Sequence, residues 1–499
     1  MTAPAPTPRT AAAAETPGTP SASTAPSGSG ASTAPATFTA STASTASTAS
    51  RGSVAPYASR GGVAGSGQYE LGVFASAVAR ARAEGELVVQ PRMGMATTTE
   101  MALGLEAVKH ARARVVGTIT LDSYTRVGDH DSARSALAAG ADLNGYPLVA
   151  HGPDVTRALV GRVARGGDFA VQIRHGSAKP YDIIATLLDA GLDATEGGPI
   201  SYCLPYSRTP IAESVDAWAR SCDLLASRPG THLESFGGCM LGQLCPPGLL
   251  VALSVLECIF FRRHGLTSVS LSYAQQTSRA QDVEALHALR TLAAEHLDGI
   301  DWHVVLYSYM GVFPRTVGGA LELLRDSARL AALTGTERMI VKTPAEAHRI
   351  PTIADNITAL EEAARAAREA TTTGGPAEQR AGAAAEGEFG VLAEARTLVE
   401  AVLGLHPDIG QALILAFERG ILDVPYCLHA DNAQSARSFI DARGSLQWLR
   451  AGAMPVTTTR PAGETGLRAE DLLRMLGHVQ DHYDRAALTA AGPTALPTH

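Results

Sequence analysis

Three arginines, Arg92, Arg126 and Arg174, each come at or just after the end of an apolar, strand-like run: ELVVQP, RVVGTITLD and FAVQI. A guanidinium presents a planar fork that binds a carboxylate bidentately and does not lose its proton. Three such cations brought together repel one another unless an anion joins them, which suits a small dicarboxylate or a phosphate. His175 follows Arg174 directly. Glu196, in ATEGGPISY, ends another short run and could balance an arginine or receive a substrate ammonium. Tyr202 and Tyr206 follow at four-residue spacing, where they could pack or bind. Lys342, in VKTPAEAHRIP, has Glu346 one helical turn beyond. A lysine placed so can make an electrostatic contact or act as a Schiff-base nucleophile.

Other chemistries lack their signatures. There is no GxxxxGK[ST] loop, no HExxH helix and no GxGxxG following a strand. The six cysteines, at 203, 222, 239, 245, 258 and 427, form no CxxC pair, so no metal site is expected and reduced intracellular thiols are.

Elements that could position these residues alternate along the chain from about residue 69. Strand candidates are 86–91, 114–122, 146–151, 169–175, 194–198, 231–237, 267–274, 302–310 and 338–344. Between them run helical patterns such as EMALGLEAVKHARA (100–113), ESVDAWARSCDLLA (213–226) and DVEALHALRTLAAEHL (282–297). Alternation of this kind means parallel strands with helical crossovers. Nine strands are one too many for an eightfold barrel. The weakest, YPLVAH at 146–151, follows a turn-like LNG and is assigned to a loop or accessory strand. Eight βα units then predict a TIM barrel, whose site is built at the C-terminal ends of the strands, where the cations lie.

Residues 1–65, rich in Ala, Ser, Thr, Pro and Gly, predict a disordered tail and lack the charged start and apolar core of a signal peptide. The barrel domain is expected over 66–369, a flexible linker or surface excursion over 370–388, and a mostly helical region over 389–499. The run GLLVALSVLECIFF at 248–261 is fourteen residues long and contains Glu257, too short to span a membrane and better suited to a buried helix. A net charge of -8 argues against nucleic-acid binding. A cytoplasmic protein without membrane association is expected.

Taken in order, QPRMG, LDSYTR, LNGYP, RHG, EGGPISYCLPYSR and VKTPAEAHRIPT resemble the large epsilon subunit of adenosylcobalamin-dependent glutamate mutase, also called methylaspartate mutase E chain. The likeness covers roughly residues 75–360, weakens after them and is absent from the tail. It implies a TIM barrel that pairs with a small subunit carrying the Asp-x-His-x-x-Gly cobalamin motif, two large chains with two small ones. This chain's nearest approach to that motif is Asp301-Trp302-His303, with Leu306 at the glycine position. By the same resemblance Arg92, Arg126 and Arg174 clamp the two carboxylates of L-glutamate, and His175, Glu196, Tyr202 and Tyr206 complete the pocket. Glu196 would bond the amino group and, with His175, is the candidate catalytic residue. Gly94, Asn144, Pro205, Phe313, Lys342, Glu346 and Ile350 would face the cofactor, with Lys342 and Glu346 on its adenosyl side. The reaction implied is L-glutamate to (2S,3S)-3-methylaspartate, begun by cobalt–carbon homolysis and completed through a glycyl radical and acrylate.

Two segments depart from the family pattern: YSYMGVFP at 307–314, where it reads His-Gln-Trp-Met-Gly-Gly-Phe-Pro, and FGGCMLGQLCPP at 236–247. The alternatives are a barrel lyase or aldolase using Lys342 covalently, and a noncatalytic relative that binds a dicarboxylate or a partner.

Overall fold

The structure, a computed structural model, describes residues 70–240, 244–373, 387–459 and 467–491. The expected tail, most of the expected linker, and residues 241–243 of the second departing segment lie outside the described residues.

Eight short strands form one parallel sheet: β1 (Val88–Pro91), β2 (Gly117–Thr120), β3 (Val171–Arg174), β4 (Ala194–Gly197), β5 (His232–Ser235), β6 (Ser268–Ala274), β7 (Asp301–Tyr307) and β8 (Arg338–Val341). The pairing runs from β2 through β8 in chain order and back to β1. The last seam, β1 to β2, closes through a parallel bridge between Val89 and Val115 and a bond from Thr120 N to Met93 O at 2.8 Å. A closed ring of parallel strands with helical crossovers is the TIM barrel.

Each of the eight expected strands is present. The demoted segment is not a barrel strand, as expected, but Leu148–His151 is a short helix rather than a loop or accessory strand, preceded by a single bridge between Tyr146 and Leu121. The apolar run at 248–261 lies in a helix, Pro247–Arg263, buried from Pro247 to Phe261. It is apolar all round because it is enclosed all round, by the barrel and by the helices Arg279–His296 and Val391–Leu403. The Asp301-Trp302-His303 sequence is part of β7, with His303 buried.

Helix Ile353–Thr373 continues four residues into the expected linker. The C-terminal region has the helices Val391–Leu403, Ile409–Glu418 and Ala469–Ala491 together with an antiparallel hairpin, β9 (Arg437–Ile440) and β10 (Leu446–Arg450). This region packs on the barrel: Asp431 accepts from Ile211 N at 2.7 Å, and Gln281 exchanges bonds with Leu446 at 2.8 and 2.9 Å.

The barrel interior is polar where aliphatic layers are usual. Gln90, Thr118, Gln172, Glu234, Ser270 and Arg338 are all fully buried. Gln90 donates to Thr118 Oγ1 at 2.8 Å and to Gln172 Oε1 at 2.7 Å; Arg338 donates to Gln90 Oε1 at 2.7 Å, to Ser270 Oγ at 3.1 Å and to Glu234. Buried groups of this kind persist only when paired with one another. His232 and His303, stacked beneath, are held far below their ordinary pKa by burial and then by Arg338, so they sit there neutral. Phe74, on the helix Val73–Ala83 ahead of β1, packs 5.0 Å from the Arg338 guanidinium and stacks near His232.

Candidate active site

Successive strand residues face opposite ways, so residues two apart share a side. Gln172 is in the barrel network, and Arg174 two positions on stands one layer nearer the mouth. Arg338 on β8 and Lys342 just past its end stand in the same relation, four residues apart, as do His303 and Tyr307 on β7. The buried network is therefore the floor beneath the strand ends.

On that floor Arg174 Nε donates to Glu196 Oε2 at 2.7 Å, both side chains buried. Burial opposes the Arg174 charge, but Glu196 together with Tyr307 and Tyr202 outweighs it and holds the guanidinium well above its ordinary pKa. Tyr202 donates to Glu196 Oε1, and Tyr307 donates to Glu196 Oε2 at 2.8 Å. Burial, then Glu196, pushes the Tyr202 phenol up, and burial does the same to Tyr307. Both stay protonated donors.

His175 accepts from Ser177 N on Nδ1 at 3.0 Å, stacks 5.8 Å from Trp218 and meets Tyr202 edge-on at 5.1 Å. Burial lowers its pKa to about 3, with Arg126 and Arg174 reinforcing. A neutral ring accepting on Nδ1 carries its proton on Nε2. That atom is buried and makes no hydrogen bond of good geometry among the described residues, the Glu196 carbonyl acting on it only weakly; Arg126 Nε is buried there with no partner. Arg126, on the short helix Ser123–Val127 after β2, donates to Leu121 O at 3.4 Å.

A second group lies at the rim. Arg92 pairs with Glu346 at 3.0 Å, and Lys342 lies 3.8 Å from Glu346 with its ammonium 4.5 Å above the Phe313 ring. Burial lowers Lys342 to about 8, against Glu346 and with Arg92. Tyr206 joins the two groups: Arg92, Glu196 and Arg174 all act on it electrostatically, and its ring meets Tyr202 at 5.8 Å.

The structure thus brings the three arginines to one mouth, but two already hold carboxylates. The four-residue tyrosine spacing reflects helical turns, with Tyr202 N bonded to Gly198 O at 3.2 Å. Of the other sequence candidates, Gly94 is explained by packing, since a Cβ there would run into Thr120 O. Asn144 is exposed and accepts from Ser123 N at 3.0 Å, Pro205 lies in the turn beside Tyr206, and Ile350 is 77% exposed.

Several residues escaped the sequence reading. Tyr307 was seen only as part of a departing segment. Glu257 was noted only for its charge, yet it accepts from Ile200 N at 3.2 Å, Ser201 N at 2.9 Å, Ser201 Oγ at 2.9 Å and Ser235 Oγ at 2.8 Å. It thereby fixes the turn that carries Tyr202. A lone acid inside an otherwise unbroken apolar run was the available signal, since such a group persists only if something needs it.

The methylaspartate mutase E chain family matches residues 70–463. A glutamate mutase epsilon subunit from Escherichia coli O157:H7 is 31% identical over 401 residues, 77% of this chain and 81% of its own. That of Halobacterium salinarum is 30% identical over 397 residues, 76% and 80% of the two chains. A dihydrodipicolinate synthase from Agrobacterium tumefaciens, a solved structure, aligns over 68% of this chain and 98% of its own at 12% identity, with a TM-score of 0.31. So low a score leaves the fold to the strand order itself. A family match spanning the whole barrel and most of the C-terminal region, with relatives alike over four-fifths of their own length, makes this chain a member of the methylaspartate mutase E chain family.

Proposed function

We propose that the chain is the large catalytic subunit of an adenosylcobalamin-dependent isomerase that interconverts L-glutamate and (2S,3S)-3-methylaspartate, acting with a separate small cobalamin-binding subunit in an assembly of two large and two small chains. The observation that carries this reading is the buried Arg126 Nε–H, without a partner among the described residues, and His175 Nε2–H, which has only the Glu196 carbonyl acting on it, beside the Arg174–Glu196 pair. Donors left bare in a buried site call for an acceptor, and a substrate carboxylate is one. Glu196 supplies the complementary acceptor for an ammonium. Together they match an amino dicarboxylate.

The rim residues fit the cofactor. A buried lysine above an aromatic ring and beside a carboxylate offers polar contacts to a ribose and an adenine, and Lys342 and Glu346 would hold that side. Gly94, Asn144, Pro205, Phe313 and Ile350 would border it. When bound, adenosylcobalamin supplies the radical that opens the carbon-skeleton rearrangement. The chain's own part is to bind both carboxylates, orient the amino group and hold the fragments in register until they rejoin. Tyr124, Val127, Tyr206, Val312 and Ile350, all on segments after strand ends, are exposed around the mouth. An apolar rim of this kind is what a partner subunit covers.

The test is tritium transfer. With the small subunit and coenzyme tritiated at the adenosyl carbon, L-glutamate should acquire label; absence of transfer with all components present overturns the reading. The depressed pKa of buried Lys342, about 8, favours a second reading, a Schiff-base lyase. Borohydride trapping of a carbonyl substrate on Lys342 would select it.

A further inference from the structure

Tyr307 stands where the barrel floor meets the mouth. Its hydroxyl is within donating reach of two carboxylates, Glu234 Oε1 and, at 2.8 Å, Glu196 Oε2; it accepts from Arg174 Nη2 at 3.4 Å, and the Arg174 guanidinium sits 5.2 Å from its ring centre. Below, Glu234 accepts from Gln172 at 3.1 Å and pairs with Arg338, both partners of that ion pair fully buried. Two buried ion pairs, Glu196–Arg174 above and Glu234–Arg338 beneath, are thus joined through one phenol.

A phenol has a single proton and can serve one carboxylate at a time. Glu234 keeps two other donors when that proton turns away, while Glu196 would keep Arg174 and Tyr202. The lower pair is anchored on every side, by Gln90, Ser270 and His303 around Arg338. The upper pair opens onto the mouth. We infer that Tyr307 is a positioning residue: it ties the mouth pair to the buried pair, and it turns its proton from Glu196 to Glu234 when a substrate ammonium reaches Glu196. The tyrosine thereby keeps Glu196 satisfied when no ammonium is present, and narrows the preference for amino dicarboxylates over plain ones. This rests on the amino-dicarboxylate reading of the site.

Glu234→Gln would leave Arg338 buried without a counter-charge and is liable to unfold the barrel. Tyr307→Phe removes only the hydroxyl and is the variant of choice, with its thermal midpoint measured beside wild type. In the enzyme assembled with small subunit and coenzyme, the KM for L-glutamate and the inhibition constant of glutarate, which has both carboxylates and no amino group, are compared. Tyr307→Phe should lower the glutamate KM about three- to tenfold and move the glutarate constant by less than about twofold. An equal shift for both ligands, a shift for neither, or a raised glutamate KM overturns the inference. A wild-type assembly that neither turns over glutamate nor is inhibited by glutarate removes the functional reading itself, and this inference with it.

Discussion

At the scale of the residue, the site is a set of charges held by geometry that a point charge alone does not satisfy. Arg174 uses Nε for Glu196 and leaves Nη2 near Tyr307. Lysine keeps the charge but has no fork, so Arg174→Lys should lower kcat/KM for glutamate about 10- to 100-fold with the fold intact. Near-wild-type kinetics would remove Arg174 from the clamp. The sequence revealed these residues because a cation at the end of an apolar run is conspicuous. It did not reveal that Arg174 and Arg92 already hold Glu196 and Glu346, because such pairing depends on where neighbouring strands bring their ends. Tyr307 was hidden for the same reason: an aromatic residue ending an apolar strand reads as packing until its hydroxyl is placed between two carboxylates.

At the scale of the element, buried acids hold segments in place at a pH-dependent cost. Burial raises Glu257 from 4.5 to about 7, against the bonds it accepts. Its folded-state pKa is above the unfolded one, so its contribution is fully present below about pH 4.5 and is lost as pH rises through about 7. Asp282, raised to about 7 by burial, acts in the same direction. Unfolding free energy should therefore fall across this window, by about 3 kcal/mol for Glu257 alone. Glu257→Gln, which can still accept from Ile200 N and Ser201 N, should remove that share. Glu257→Ala should cost about 1–3 kcal/mol for each buried donor left bare and weaken glutamate binding through Tyr202. Denaturant titrations at a series of pH values check both. A second brace lies beyond the family match: on the helix Ala469–Ala491, Asp484 accepts from Arg315 N at 3.0 Å, Thr316 N at 2.8 Å and Thr316 Oγ1 at 2.6 Å, while Val479 packs with Phe313 and Tyr309. This holds the segment that sets Phe313 under Lys342. Asp484→Ala should raise the coenzyme KM about fivefold and leave the glutamate KM unchanged; an unchanged coenzyme KM would contradict the brace. The eight strands were legible from their β-rich runs and turns. The hairpin Arg437–Arg450 was not, because its strands are short and the surrounding pattern is helical.

At the scale of the whole molecule, the barrel supplies a polar floor, a charged mouth and an apolar rim. The floor ties the strands beneath the mouth together, since Arg338 bonds Gln90 on β1 and Glu234 on β5. On the proposed reading the mouth takes an amino dicarboxylate and the rim receives a partner that brings the cofactor. No helix among the described residues is long and apolar enough to cross a membrane. The central claim is that this chain performs the glutamate to 3-methylaspartate rearrangement only as part of such an assembly. The most direct measurement is proton NMR of L-glutamate incubated with the purified chain, the small subunit and adenosylcobalamin, and with each omitted in turn. The complete mixture should develop the methyl doublet of 3-methylaspartate and every omission should abolish it. No doublet in the complete mixture, or one that forms without coenzyme or small subunit, would contradict the account.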